Sequence, residues 1–170
     1  MKKRLLQILP LILLAVLATK LNAQAKLAIY GTAGTESSGL PYNPWKLAGT
    51  LGLYYGLYDF GPFYLSVDAR GDIASAIHSG FGGPRLAVKL PVLPIKPYGE
   101  ILIGVSSYPQ TSGSIQYSND FAYRYVLGVD STIFPHIDWR IADFSYGINR
   151  SGNGTGTHAE TITSGLVIRF

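Results

Sequence analysis

With 170 residues, the chain is long enough for one domain and too short to expect two. It contains no cysteine, which excludes disulfide stabilisation and thiol chemistry. Only 14% of its residues are charged, whereas soluble domains average roughly 25%. The composition therefore argues against the charged surface of an ordinary water-soluble domain.

The N-terminal segment has the three parts of a secretory signal peptide. Basic residues open the chain, an apolar run covers residues 5–18, and small residues follow it. The run has 14 residues and contains a proline, while a spanning helix needs about 20, so an uncleaved membrane anchor is the weaker alternative. We expect a signal peptide over residues 1–23, cleaved after Ala23 or Ala25, and a mature domain over residues 24–170.

The net charge of +4 belongs to the leader rather than to the mature domain. Four of the 14 basic residues lie in the leader, so that ten basic and ten acidic residues remain. Because nucleic-acid binding needs a basic patch in the folded protein, we expect no nucleic-acid partner.

Eight segments of the mature chain alternate between large apolar residues and small or polar ones, with the period of two that indicates strands. The segments cover residues 27–35, 45–58, 62–71, 83–90, 96–106, 122–133, 137–148 and 160–170. Long connections at 36–44, 72–82, 107–120 and 149–159 alternate with short ones at 59–61, 91–95 and 134–136. This alternation is typical of outer-membrane barrels, which keep short periplasmic turns and long external loops. We therefore predict an all-β, eight-stranded, antiparallel, up-and-down transmembrane β-barrel with both termini on the periplasmic side.

The composition of the two strand faces indicates which face meets lipid. A soluble, lipocalin-like ligand-binding barrel also alternates, but its outer face would carry lysine and glutamate. In residues 47–57 one face carries the large residues Leu47, Leu51, Leu53, Tyr55 and Leu57, whereas Ala48, Thr50, Gly52 and Gly56 on the other are small and uncharged, which suits a crowded lumen. The large face is therefore expected to lie in lipid.

The seventh strand breaks the alternation once, near Ala142. Its outward set runs Ile137, Trp139 and Ile141, and then resumes at Phe144. A β-bulge at this point would return the following residues to the same faces. The alternative is a strand that ends at Ile141.

Eleven charged residues in the predicted strands share the inward parity. The predicted lumen ion-pair network consists of Asp68, Arg70, Arg85, Lys89, Glu100, Arg124, Asp130, Asp138, Arg140, Asp143 and Arg169. Six positive and five negative side chains can pair, and eight strands leave an interior just wide enough for side chains. We expect a closed lumen, with a gated narrow pore for small solutes as the alternative.

Aromatic residues near the predicted strand ends are candidates for the girdles at the two membrane interfaces. They are Tyr55, Tyr58, Phe60, Phe63, Trp139, Tyr146 and Phe170, with Tyr42 and Trp45 at the outer rim.

The histidines do not form a recognisable catalytic or metal-binding set. His158 and Glu160 make the best pair, but no serine stands near them at the spacing of a lipid-deacylating barrel, and His78 falls in a predicted loop. Three scattered histidines without cysteine do not form a metal cluster. We expect no enzymatic activity, cofactor or metal, and a lipid-modifying barrel enzyme is the least favoured alternative.

The signal peptide, the eight alternating strands, the segment WRIADFSYG and the closing GLVIRF resemble the small bacterial outer-membrane β-barrel domain family of OmpA/OmpX type. The resemblance implies an outer-membrane location and a last strand that the barrel-assembly machinery recognises. In this chain that signal would be carried by Ile162, Leu166, Ile168 and Phe170, with Ser164 as a departure from the pattern.

The resemblance also bounds the role of the protein. The chain stops at the barrel, so the peptidoglycan-binding domain of OmpA itself is not expected. The expected partners are outer-membrane lipid, the assembly machinery and an unknown surface ligand of the loops, and the protein is expected to be a monomer. Its expected role is structural or in surface interaction.

Overall fold

The computed structural model describes residues 27–37, 45–74, 77–112, 114–150 and 156–170. These residues form a closed barrel in which each strand pairs antiparallel with the next and β8 pairs with β1. The predicted fold class is confirmed. The strands are β1 Leu27–Ser37, β2 Lys46–Phe60, β3 Phe63–Ala74, β4 Ile77–Val88, β5 Ile95–Ser112, β6 Ser114–Phe134, β7 Ile137–Arg150 and β8 Gly156–Arg169.

The leader and its predicted cleavage site lie outside the described residues. Within the described part of the chain, no helix is long and apolar enough to cross a membrane.

One end of the barrel, the turn side, carries the short connections. Gly61 and Pro62 link β2 to β3, and Pro135 and His136 link β6 to β7. Gly61 has a φ of 63° and His136 a φ of 71°, values that tight turns require and that glycine adopts most easily. Leu27 and Phe170, the first and last described residues, also lie on the turn side, where the Phe170 amide donates to the Leu27 carbonyl at 2.8 Å.

The opposite end, the loop side, differs from the prediction, because the strands extend into segments expected to be loops. The predicted connection 72–82 is largely paired strand, with Ala74 opposite Ile77. The described residues of the predicted connection 107–120 are also strand, because β5 and β6 stay paired up to Ser112 and Ser114. A hairpin that continues beyond lipid needs only backbone pairing, so its sequence carries no apolar alternation.

The two faces of the barrel differ as the alternation predicts. Leu47 is 79% exposed on the outer face, while its neighbour Ala48 is 4% exposed inside the barrel. The exposed outer set continues around the barrel and includes Leu51, Val67, Ile73, Leu86, Ile101, Ile103, Leu127, Phe144, Ile162, Leu166 and Ile168.

The predicted bulge in β7 is confirmed. The pairing of β7 with β8 shifts between Arg140 and Asp143, and Ile141 and Ala142 both lie on the exposed face. β7 then continues to Arg150, so the alternative of a strand ending at Ile141 is wrong. A second bulge, between Gly56 and Tyr58 in β2, was not predicted.

Tyrosine rings occupy the lumen beside glycines. The sequence had indicated only that these glycine positions are small. Tyr30 lies directly opposite Gly52 in register, and Tyr98 lies opposite Gly128. A Cβ atom at either glycine would collide with the facing ring. These glycines therefore make room for large rings rather than for a uniformly small interior.

Candidate functional site

Arg70 on β3 lies in the lumen and contacts three carboxylates from different parts of the barrel wall. Its Nε is 3.2 Å from Asp68, its Nη1 is 3.3 Å from Asp143, and it forms an ion pair with Glu100. The Tyr30 hydroxyl donates to Asp68 at 2.9 Å. Arg70 thus connects β3 to β5 and to β7 across the lumen.

Two further arginines complete a closed circuit with the same carboxylates. Arg85 lies 3.2 Å from Glu100 and 2.8 Å from Asp130. Arg140 lies 3.0 Å from Asp130 and 3.3 Å from Asp143. The order of contacts is Arg70, Glu100, Arg85, Asp130, Arg140, Asp143 and back to Arg70. We call these six residues the ion-pair ring.

Tyrosine rings cover the flat faces of the ring's arginines. The Arg85 guanidinium lies 4.3 Å from the centroid of Tyr54 and 4.1 Å from that of Tyr98. Arg140 lies 4.0 Å from the Tyr30 centroid. The Tyr98 hydroxyl also donates to Asp143 at 2.6 Å. These cation–π contacts help to offset the desolvation of the arginines.

The sequence did not single out these tyrosines as lumen residues, although their parity could have done so. Tyr54 stands between Gly52 and Gly56, and Tyr98 stands two residues before Glu100. Because small residues were expected in the lumen, these tyrosines were not assigned to it.

A second cluster lies on the loop side of the ring. Arg124 pairs with Asp72, which also accepts a hydrogen bond from the Thr50 hydroxyl at 2.6 Å. Glu36 is buried nearby and accepts from Thr161 at 3.3 Å. Asp72 and Glu36 were missed because both were assigned to connections, whereas their strands continue through them.

A third cluster lies on the turn side, around Asp138. This carboxylate is 2.9 Å from the Lys96 ammonium and 3.0 Å from the Arg169 guanidinium. It also accepts from the Thr132 hydroxyl at 2.8 Å. Lys96 was missed, although it shares parity with Glu100.

Lys89 is the one predicted network residue that the structure places outside the buried clusters. Its side chain is 45% exposed and pairs at 3.3 Å with Asp59, which is 43% exposed. β4 ends at Val88, so Lys89 lies just beyond the strand, at the rim of the lumen.

The segment expected to carry the assembly signal forms β8. Ile162, Leu166, Ile168 and Phe170 all point outward and are exposed. Ser164 faces outward as well, where its hydroxyl donates to the Arg140 carbonyl at 2.9 Å and accepts from the Trp139 indole at 3.1 Å. The departure from the apolar pattern therefore satisfies a carbonyl beside the β7 bulge.

The aromatic girdle candidates lie near both ends of the barrel. On the turn side Phe60 stacks on Phe63, with ring centroids 5.7 Å apart, and Trp139 and Phe170 are exposed. Trp45 is exposed at the start of β2 on the loop side. The remaining candidates Tyr55, Tyr58 and Tyr146 are partly exposed, and Tyr42 lies outside the described residues.

The candidate His158 and Glu160 pair forms no catalytic arrangement among the described contacts. His158 instead stacks on Tyr146, with its Nδ1 3.1 Å from the tyrosine hydroxyl. Within the described ranges, no group of three or more His, Cys, Asp or Glu side chains is placed to hold a metal ion.

The barrel is similar to solved structures although its sequence is distant from theirs. No protein-family model and no curated protein matches the chain. Neisserial surface protein A shares 15% identity and a TM-score of 0.61, over 86% of this chain and 97% of that one. A major outer membrane protein from Thermus thermophilus shares 11% identity and a TM-score of 0.54, over 86% and 100%.

A de novo designed transmembrane β-barrel is also similar, with 12% identity and a TM-score of 0.52, over 86% of this chain and 95% of the design. The natural and designed barrels thus share one architecture with this chain. Together with the closed order of eight antiparallel strands, these similarities give the chain the fold of the small outer-membrane β-barrels, the OmpA/OmpX type that its sequence resembles.

Proposed function

We propose that the protein is an integral barrel of a bacterial outer membrane, exported through a cleaved signal peptide, with a closed lumen and a structural or surface-interaction role. The ion-pair ring is the observation that carries this proposal. The proposal assigns no catalytic activity to the protein and treats it as a monomer that meets lipid and, during biogenesis, the barrel-assembly machinery.

The outer face supports a membrane location. Large aliphatic side chains are exposed on every strand pair around the barrel, while the arginines and carboxylates of the described strands are concentrated inside. Such a surface would be costly in water at roughly 25 cal/mol per Å² of apolar area, and it matches the apolar band of outer-membrane barrels.

The ion-pair ring supports a closed lumen. Its six side chains come from β3, β4, β5, β6 and β7 and meet across the interior, where tyrosine rings fill the space beside them. Because each arginine contacts two ring carboxylates and each carboxylate two arginines, moving one side chain aside would remove one of the two partners from each of two buried charges. Liposomes that contain the protein should therefore swell no faster than empty liposomes in an iso-osmotic solution of a small sugar.

The loop side supports a surface-contact role. β5 has 18 residues and β6 has 21. The last pair of β5 with β4 is Ser107 with His78, and the first pair of β6 with β7 is Phe121 with Arg150. Between Ser107 and Phe121, the described residues of β5 and β6 pair only with each other. A hairpin that projects beyond the barrel wall offers free strand edges to a partner. Neisserial surface protein A, a structural neighbour, is by its name also a surface protein.

The orientation can be tested with one peptide tag placed at either end of the barrel. A tag between Ser112 and Ser114 should be labelled by antibody on intact cells. The same tag between Gly61 and Pro62 should be labelled only after the outer membrane is permeabilised. Labelling of the turn tag on intact cells, or recovery of the protein in the soluble periplasmic fraction, would contradict the proposal.

A further inference from the structure

The turn-side mouth of the barrel contains a cavity of about 470 Å³. Residues from every strand line it, from Ala28 on β1 to Arg169 on β8. Arg85 and Asp130, which belong to the ion-pair ring, lie at its inner end. The cavity is therefore blind and is reached from the turn side.

The walls of the cavity are mainly apolar. Ala28 and Ala87 contribute aliphatic surface, and the rings of Tyr54 and Tyr64 face the same space. A concave, largely apolar space of this size with a few polar groups is the usual form of a small-molecule site.

The charged groups at the cavity are predominantly positive. Four cationic side chains line it, against the two carboxylates of Asp130 and Asp138. Asp138 is held by Lys96 and Arg169 together, and Asp130 contacts Arg85. Among the lining side chains the cations exceed the carboxylates by two, while Glu100 and Asp59, which contact Arg85 and Lys89, lie outside the lining.

Two of these cations have capacity for a further acceptor. Lys89 is half exposed at the rim, 4.9 Å from the centroid of the Tyr64 ring, and its partner Asp59 is equally exposed. The Nε of Arg169 is buried and has no hydrogen-bond acceptor among the described residues. The Arg169 side chain as a whole is 35% exposed, so an anionic group at the mouth can reach its guanidinium.

We propose that this cavity binds a water-soluble organic anion, with its acidic group at Lys89 and Arg169 and its apolar body against Tyr54 and Tyr64. Access from the periplasm rests on the orientation proposed above, but the binding itself does not. A failed tagging experiment would therefore contradict the orientation, whereas a failed binding experiment would contradict the proposed site.

The test is calorimetric titration of 1-naphthoate into the full mature protein in phosphatidylcholine nanodiscs, with the heat from empty nanodiscs subtracted. We expect saturable binding at one site. Neutral 1-naphthalenemethanol, which has the same rings, should bind at least about tenfold more weakly because it cannot form charge-assisted hydrogen bonds.

Variants locate the site. Lys89→Gln should weaken naphthoate binding about two- to fivefold, as expected for an exposed charge. Lys46→Gln removes an exposed lysine from the loop side and should leave binding unchanged. Ala87→Phe fills the cavity and should abolish binding, and heat-modifiable gel migration would verify that this variant is folded.

Four results would overturn the proposal. The first three are the absence of saturable naphthoate binding, equal affinity for the neutral alcohol, and equal effects of Lys89→Gln and Lys46→Gln. Unchanged binding in a folded Ala87→Phe variant would place the naphthoate elsewhere and would count against it equally.

Discussion

The centre of the lumen and its turn-side mouth both contain ion pairs, but the surroundings of those pairs differ. Arg140 in the ring is fully buried and contacts Asp130 and Asp143, and a tyrosine ring covers its guanidinium. Lys89 at the mouth contacts an exposed aspartate. The same pairing of charges therefore fills the centre of the lumen and leaves an accessible cavity lined by cationic side chains at its edge.

The largest effect is expected from removing one ring arginine. Arg140→Met removes one of the two cations that contact Asp130 and one of the two that contact Asp143, and breaking buried pairs in this way costs about 3–5 kcal/mol. The free energy of unfolding by urea in lipid vesicles measures this loss. A change below about 1 kcal/mol, the range of exposed pairs, would show that the ring is not a connected network.

A smaller effect is expected from crowding a lumen tyrosine. Gly128→Ala would push the Tyr98 ring away from Arg85 and Arg140, and such overpacking costs about 1–3 kcal/mol. Gly80→Ala is the matched control, since nothing lies within 4 Å of its Cβ position. If both variants changed the free energy of unfolding equally, the close fit of tyrosine against glycine would not contribute to stability.

The next smaller effect on stability is expected at the β7 bulge. Ser164→Ala removes the hydroxyl that donates to the Arg140 carbonyl and accepts from Trp139, which corresponds to about 1 kcal/mol for a hydrogen bond of this kind. Urea unfolding would measure the loss, and the Trp139 fluorescence maximum should shift. An unchanged spectrum together with unchanged stability would contradict the assigned contacts.

The smallest effect on stability belongs to the mouth. Lys89→Gln should change the free energy of unfolding by no more than about 1 kcal/mol, because its ion pair with Asp59 is exposed to solvent. A loss as large as that of Arg140→Met would mean that Lys89 belongs to the buried network after all.

The sequence predicts much of this barrel because lipid imposes a strict pattern where the strands cross it. Leu47, Ile101 and Leu166 could be placed outside, and Arg70 and Glu100 inside, from parity alone. Even the bulge at Ala142 follows from the point where the outward set resumes.

Other features depend on pairing between distant segments. Arg70 and Asp143 are 73 residues apart, so their contact follows only from strand order and register. Asp72 and the tips of β5 and β6 lie where the pattern imposed by lipid ends, and the sequence therefore suggested loops there. The inward direction of Tyr98 was visible, but its fit against Gly128 required the register.

Single-channel recording in a planar bilayer tests the central claim, that the ion-pair ring closes the lumen. The native protein should leave the lipid baseline flat, and an Arg70→Ala/Glu100→Ala variant, folded by gel migration, should show discrete openings because two side chains that meet across the lumen are removed. Discrete openings of the native protein would contradict the account and would favour the narrow pore.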